Sequence, residues 1–105
     1  MLVTSNYKKG DAITLKLSTG EEIVARFETS GTEDIEVVKP TVLTLNPQDG
    51  KVMLIPWLMS VDVHNSTPVK IGRSQVVAIG IPVKHIADNY IQSTTGIAPA
   101  NALQL

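Results

Sequence analysis

The residues best suited to chemistry lie in one short basic turn, Lys70 to Ser74. The guanidinium of Arg73 can stack on a base or grip a phosphate, and Lys70 adds a second positive charge three residues earlier. Ser74 belongs to the same turn. We predict that this turn, with Arg73, Lys70 and Ser74, contacts a base or a phosphate. The alternative is that Arg73 forms a local ion pair and that Lys70 is a solvated turn lysine.

A second polar segment carries the carboxylates Glu33, Asp34 and Glu36. Carboxylates repel phosphate but accept hydrogen bonds from base edges. No histidine or further carboxylate lies nearby in the sequence, which argues against a metal site here. The alternative interpretation is a solvated loop.

Nothing in the sequence has the spacing of a catalytic site. His64 and His85 share neither ligand nor triad spacing, and the chain has no cysteine to act as a nucleophile or zinc ligand. The glycines form none of the phosphate-binding loop patterns. We therefore predict that the protein is not an enzyme and holds no cofactor or metal.

Composition restricts the class of protein further. The chain has 105 residues, enough for one domain, and 43% of them are apolar, which argues against disorder. The formal charge of -1 is unlike that of a general nucleic-acid binder, so any such contact is a local patch. No segment has the length of a signal peptide or membrane span, and we expect a soluble, cytoplasmic protein without membrane contact.

The elements that must position these residues are mainly β-strands. Alternation at 12–17 and at 22–28, joined by a turn at Gly20, predicts a hairpin. Residues 35–45 form the next strand, in which Pro40 predicts an edge position or a bulge. Strand-like residues follow to position 63 and again over 69–83, and helical spacing over 83–92 predicts a C-terminal helix. We predict a mainly β, strongly bent five-stranded antiparallel sheet or small open barrel with short terminal helical segments.

Two of these segments, residues 52–59 and 76–81, are apolar on both faces. A strand in a small antiparallel sheet usually turns a polar face to water. This excess of apolar side chains predicts that the two strands pair with another copy of the chain in a homo-oligomer. The predicted subunit interface contains Leu54, Ile55, Trp57, Val77, Ile79 and Ile81. The alternatives for Trp57 are packing in the core and stacking on a base.

The hairpin ITLKLSTGEEIVARF (residues 13–27) and the segment IGRSQVVAI (residues 71–79) resemble the two motifs of the Sm-like family, which includes the Sm, Lsm and Hfq proteins. The second motif there reads Ile-Arg-Gly-x-x-Val-x-x-Ile, and here the Arg and Gly are swapped. The family's first motif also carries an Asn that contacts a base, and residues 30–36 contain none. The resemblance covers residues 11–83 of a single domain, leaving a helix and tail at 84–105. The whole chain is also similar to small proteins of marine cyanophages.

The resemblance implies a cyclic ring in which strand four of one copy pairs with strand five of the next. It also implies a site for single-stranded, uridine-rich RNA, at which Asp34 joins Arg73, Lys70 and Ser74. Our first hypothesis is a non-enzymatic, ring-forming protein that binds single-stranded RNA in RNA processing or regulation in phage-infected bacteria. The second is a phage structural or assembly module that uses the same small barrel to oligomerise, without RNA.

Overall fold

The computed structural model describes residues 7–61 and 66–95. They form an open, antiparallel, six-stranded sheet and one helix near the C-terminus, which confirms the mainly β class. The elements are β1 (Ala12–Leu17), β2 (Glu22–Ser30), β3 (Asp34–Leu45), β4 (Val52–Pro56), β5 (Val69–Gly72), a 3₁₀ turn (Arg73–Gln75), β6 (Val76–Gly80) and α1 (Lys84–Thr94).

The sheet order is β4-β3-β2-β1-β6. The 12-residue β3 is long enough to pair twice on its outer side. Its second half pairs with β4, from Thr41 opposite Pro56 to Leu45 opposite Val52. Its first half pairs with β5, from Asp34 opposite Gly72 to Val37 opposite Val69. β4 and β5 therefore lie end to end along the same side of β3.

The prediction of five strands is wrong in number because one predicted strand is divided in two, and a second predicted strand is shorter than expected. β4 ends at Pro56, which has no N–H to continue a ladder, whereas the sequence pattern extended the strand to position 63. The predicted strand over 69–83 is divided by the 3₁₀ turn that carries Arg73. At the other terminus, residues 7–11 form no helix, and the rest of the predicted N-terminal segment lies outside the described residues, as does the tail from residue 96.

The predicted bulge at Pro40 is confirmed. Val24 of β2 pairs with Thr41, and Arg26 pairs with Val38, so β3 has one extra residue across this step. Lys39 occupies it with a φ of 53°. An extra residue in one strand bends it and increases the local twist. The bulge therefore bends the middle of the longest strand in the sheet.

The sheet buries both of its faces at its centre. One face carries the main core, which is aliphatic apart from one aromatic ring and consists of Ile13, Leu15, Leu17, Ile23, Ala25, Phe27, Ile35, Val37 and Ile71. Val24 and Val38 are buried as well but are not part of that cluster. Because side chains alternate along a strand, Val24 lies on the opposite face from Ile23 and Ala25.

Helix α1 is attached at the bulge through Tyr90, which is fully buried. Its hydroxyl lies 2.7 Å from the carbonyl oxygen of Lys39 and 3.2 Å from that of Val38, so it donates to the bulged backbone. In return, the Lys39 Nζ donates to the carbonyl of Thr94 at 3.0 Å. That carbonyl lies at the C-terminal end of the helix, where a positive charge is favourable. The predicted helix is thus confirmed and serves to cover the bulge.

Alkaline pH is expected to weaken the fold through Tyr90. Burial raises the pKa of its phenol well above the ordinary value of 10.0. Above about pH 10 an unfolded chain therefore loses a proton that the folded chain keeps, and the free energy of unfolding falls as pH rises. This is checked by urea unfolding of wild type and Tyr90→Phe at pH 9 and pH 11. These two pH values lie about one unit below and above the ordinary tyrosine pKa. A pH slope that is identical in both proteins would contradict it.

Candidate nucleic-acid interface

The fold brings the two predicted polar segments together. Asp34 at the start of β3 is the register partner of Gly72 at the end of β5, and the N–H of Arg73 donates to the carbonyl of Glu33 at 2.9 Å. The β2–β3 turn and the 3₁₀ turn therefore lie side by side. Ser74 is exposed within the 3₁₀ turn. The candidate residues Arg73, Ser74 and Asp34 form one surface, which we call the two-turn surface.

Arg73 is oriented by the neighbouring turn. Its Nε donates to the carbonyl of Gly31 at 2.5 Å, and its Nη2 donates to the Ser30 hydroxyl. A guanidinium has five N–H donors, and these contacts use two of them. Sequence reasoning offered a contact with nucleic acid or a local ion pair. The structure adds a third role, in which the side chain fixes the β2–β3 turn by hydrogen bonds.

Lys70 is exposed on β5, where its register partner on β3 is Glu36. The two-turn surface and its β5 flank thus hold two cations, Lys70 and Arg73, among three carboxylates at positions 33, 34 and 36. Such a mixture gives no net attraction for phosphate from one copy of the chain.

A cleft of about 250 Å³ lies beside this surface and was not predicted from the sequence. Its most distinctive wall is Trp57, which follows β4, is half-buried and packs against the main core. The Trp57 Nε1 donates to Glu21 Oε1 at 3.4 Å, and the Thr19 hydroxyl donates to the same oxygen at 3.2 Å. The remaining lining includes Leu17, Lys70, Ile71, Gly72 and Gln75. A contact between residues 36 positions apart leaves no sequence signal, so Glu21 was missed.

The predicted interface residues lie at the two ends of the sheet. Ile55 on β4 is exposed, and Leu54 is half-buried. At the opposite end, Ile79 on β6 is exposed, and Val77 and Ile81 are 68% and 66% exposed. Further exposed apolar side chains accompany them at Leu45, Val52, Met59 and Val83. The described chain therefore leaves four of the six predicted interface side chains exposed, whereas Leu54 is half-buried and Trp57 packs against the main core.

The described ranges contain no group of three or more His, Cys, Asp or Glu side chains that could hold a metal. His85 is exposed on α1, and His64 lies outside the described ranges. Within the same ranges, no helix has both the length and the apolar character needed to cross a membrane.

Comparison with known proteins gives structural likenesses but no sequence match. No protein-family model matches the sequence, and no curated protein matches it significantly. Among solved structures, the chain is similar to one chain of the crystal structure of the NatC complex bound to CoA, with a TM-score of 0.49 and 11% identity. The match covers 86% of this chain and 99% of that chain. A likeness at this level carries no argument about family or activity.

Proposed function

We propose that this protein is a non-enzymatic, Sm-like ring protein in which β6 of one copy pairs with β4 of the next, and that the ring binds single-stranded RNA. The observation that supports the proposal most strongly is that both terminal strands of the sheet are uncharged and expose apolar side chains. β4 (VMLIP) and β6 (VVAIG) contain no charged residue, and each lies at an end of the sheet with apolar side chains exposed.

Edge strands of this kind are unusual in a protein that works alone. Natural edges are guarded by lysine, by inward charges or by a covering element, since an unguarded edge invites pairing with another chain. Neither β4 nor β6 has such a charge. Because the two edges differ in sequence, their pairing is head-to-tail, and head-to-tail contacts close into rings when the rotation permits.

The Sm-like assignment is supported by the order of elements. When β4 and β5 are taken as two pieces of one strand, the sheet has five strands, and the last one follows the Arg73 turn and pairs with β1. This is the arrangement that the resemblance of residues 13–27 and 71–79 implies. We place RNA at the two-turn surface, where a ring would repeat one weak site per copy and gain avidity.

A second candidate, an assembly module without RNA, is favoured by one specific observation. The Arg73 guanidinium is already bonded to Ser30 and Gly31, and carboxylates outnumber cations around it. Salt separates the two candidates, because phosphate contacts make RNA affinity fall steeply as salt rises. An assembly module would show no salt-sensitive RNA binding at all.

The test is the substitution Arg73→Ala, measured with a uridine-rich oligonucleotide by fluorescence polarisation. We expect affinity to fall roughly tenfold, because the charged hydrogen-bonding group is lost and the β2–β3 turn loses its anchor. The fold is expected to survive, since Arg73 is only half-buried.

Lys16→Ala is the matched control, because it removes one exposed positive charge from β1, away from the two-turn surface. The Arg73→Ala effect should greatly exceed that of the control. Equal affinities for wild type and Arg73→Ala, with oligomeric state unchanged, would remove Arg73 from the proposed site.

A further inference from the structure

The cleft beside Trp57 has the chemistry of a site for a planar, hydrogen-bonding ligand. Trp57 forms an aromatic wall, and Leu17 and Ile71 form an apolar floor. Polar groups at the rim come from Thr19, Glu21 and Gln75. Ligand sites typically pair an apolar lining with a few placed polar groups. At about 250 Å³ the cleft is smaller than a typical drug-sized pocket and suits a single base or nucleoside.

The hydrogen-bonding capacity of the rim selects among bases. Both contacts to the Glu21 carboxylate go to Oε1, so neither uses Oε2, an acceptor. Gln75 accepts from the Ser18 hydroxyl at 2.7 Å through its Oε1, which leaves its amide nitrogen to donate. A carboxylate acceptor beside an amide donor matches the edge of a base that offers an amino group next to a ring nitrogen. Cytosine N4, for example, donates to carboxylates.

We infer that this cleft binds a nucleobase carrying an exocyclic amino group, stacked on Trp57 and read by Glu21 and Gln75. Lys70, on the same cleft, is placed to attract the phosphate of that nucleotide. The inference rests on the proposed function only for the source of the base. If the protein binds RNA, the base belongs to an RNA strand; if it does not, the base belongs to a free nucleotide. A strand that occupies both the cleft and the two-turn surface would pass along Gly72, which lines the cleft and precedes Arg73.

Trp57 itself is the reporter, because it is the only tryptophan in the chain. The intact protein is titrated with CMP and with UMP, which differ at the base edge, and with oligocytidine and oligouridine. Fluorescence is excited at the red edge of the indole band, with free tryptophan amide as the inner-filter control. We expect saturable quenching, with CMP bound at least about fivefold more tightly than UMP, a difference at the lower end for one good base contact.

Glu21→Gln tests the recognition without removing the reporter. It replaces a two-oxygen acceptor with an amide, and we expect the preference for CMP over UMP to fall, because the carboxylate that accepts from the amino group is lost while Gln75 still donates to the ring nitrogen. Glu22→Gln is the matched control, because its neighbouring carboxylate does not line the cleft. It should keep the preference for CMP.

The outcomes separate this inference from the proposed function. Absence of quenching by CMP and oligocytidine, or equal affinity for CMP and UMP in wild type, overturns the inference. RNA binding seen by polarisation without Trp57 quenching overturns it also but leaves the RNA function standing. Quenching by CMP with no binding of any oligonucleotide supports the cleft as a nucleotide site and overturns RNA binding.

Discussion

The double substitution Val77→Lys and Ile81→Lys is expected to convert the assembled protein into monomers. Both side chains are about two-thirds exposed in the single chain, so lysine is accommodated there without loss of the core. In the proposed ring the same positions face β4 of the next copy, whose residues Val52–Pro56 carry no acidic partner. Two uncompensated charges at an apolar strand contact block pairing, as edge lysines do in natural sheets. Light scattering after size-exclusion chromatography measures the change in mass.

Thr29→Lys is the control for an added surface lysine. Thr29 is exposed near the end of β2 and pairs with Glu36 of β3, so the added lysine lies on neither β4 nor β6. The control should keep the mass of wild type, and circular dichroism should show the same sheet content in all three proteins. A double variant that retains the wild-type mass would place the subunit contact elsewhere.

Tyr90→Ala is expected to have the largest effect on the fold itself. Its ring is completely buried between α1 and the β2–β3 bulge, and removing it leaves a cavity under the helix. Truncation of a buried aromatic side chain costs about 3–5 kcal/mol of unfolding free energy. It also leaves the carbonyls of Val38 and Lys39 without the hydroxyl that donates to them. Urea unfolding at one fixed protein concentration measures the loss.

Two further variants divide this loss into its parts. Tyr90→Phe keeps the ring and removes the hydroxyl, so we expect a cost of about 1–3 kcal/mol from the unsatisfied backbone acceptors. Ile91→Ala is the matched control on the same helix, where the side chain is 37% exposed and its truncation costs less. If Tyr90→Ala cost no more than Ile91→Ala, α1 would not be anchored through Tyr90.

Local patterns were sufficient to predict the elements of the sheet near the N-terminus. Strict alternation around Leu15 and a turn glycine at Gly20, which has a φ of 98°, identify the first hairpin. Pro40 limited its strand to an edge position or a bulge, because a residue without an N–H cannot sit in a regular central strand, and the structure has the bulge. The helix after Pro82 followed from its spacing of apolar residues. These features depend on neighbours in sequence, which a single sequence contains.

Features that depend on distant residues were not predicted. The spacing placed Tyr90 on the apolar side of the helix, but its bond to a backbone 51 positions away appears only in the folded chain. The same holds for Arg73, whose guanidinium is fixed by Ser30 and Gly31 some 43 and 42 positions away. The Trp57–Glu21 pair is a third case. The sequence was enough to choose candidate residues by their type. The residues that they contact could be identified only from the folded structure.

In the proposed ring, β5 and the 3₁₀ turn would connect the subunit contact to the RNA contact. β5 ends at Gly72, the 3₁₀ turn follows at once, and β6 begins directly after it at Val76. A change in the pairing of β6 therefore acts on the turn that carries Arg73. Assembly at the edge and contact at the two-turn surface share one short stretch of backbone, so loss of the ring should weaken RNA binding beyond the loss of avidity.

The measurement that tests the central claim most directly is native mass spectrometry of the full chain, alone and with a short uridine-rich RNA. The account predicts one closed oligomer of defined subunit number that gains the mass of bound RNA. A closed oligomer that ignores RNA would favour the assembly module. A monomer at all concentrations would contradict the account, since the apolar edges of β4 and β6 would then have no partner.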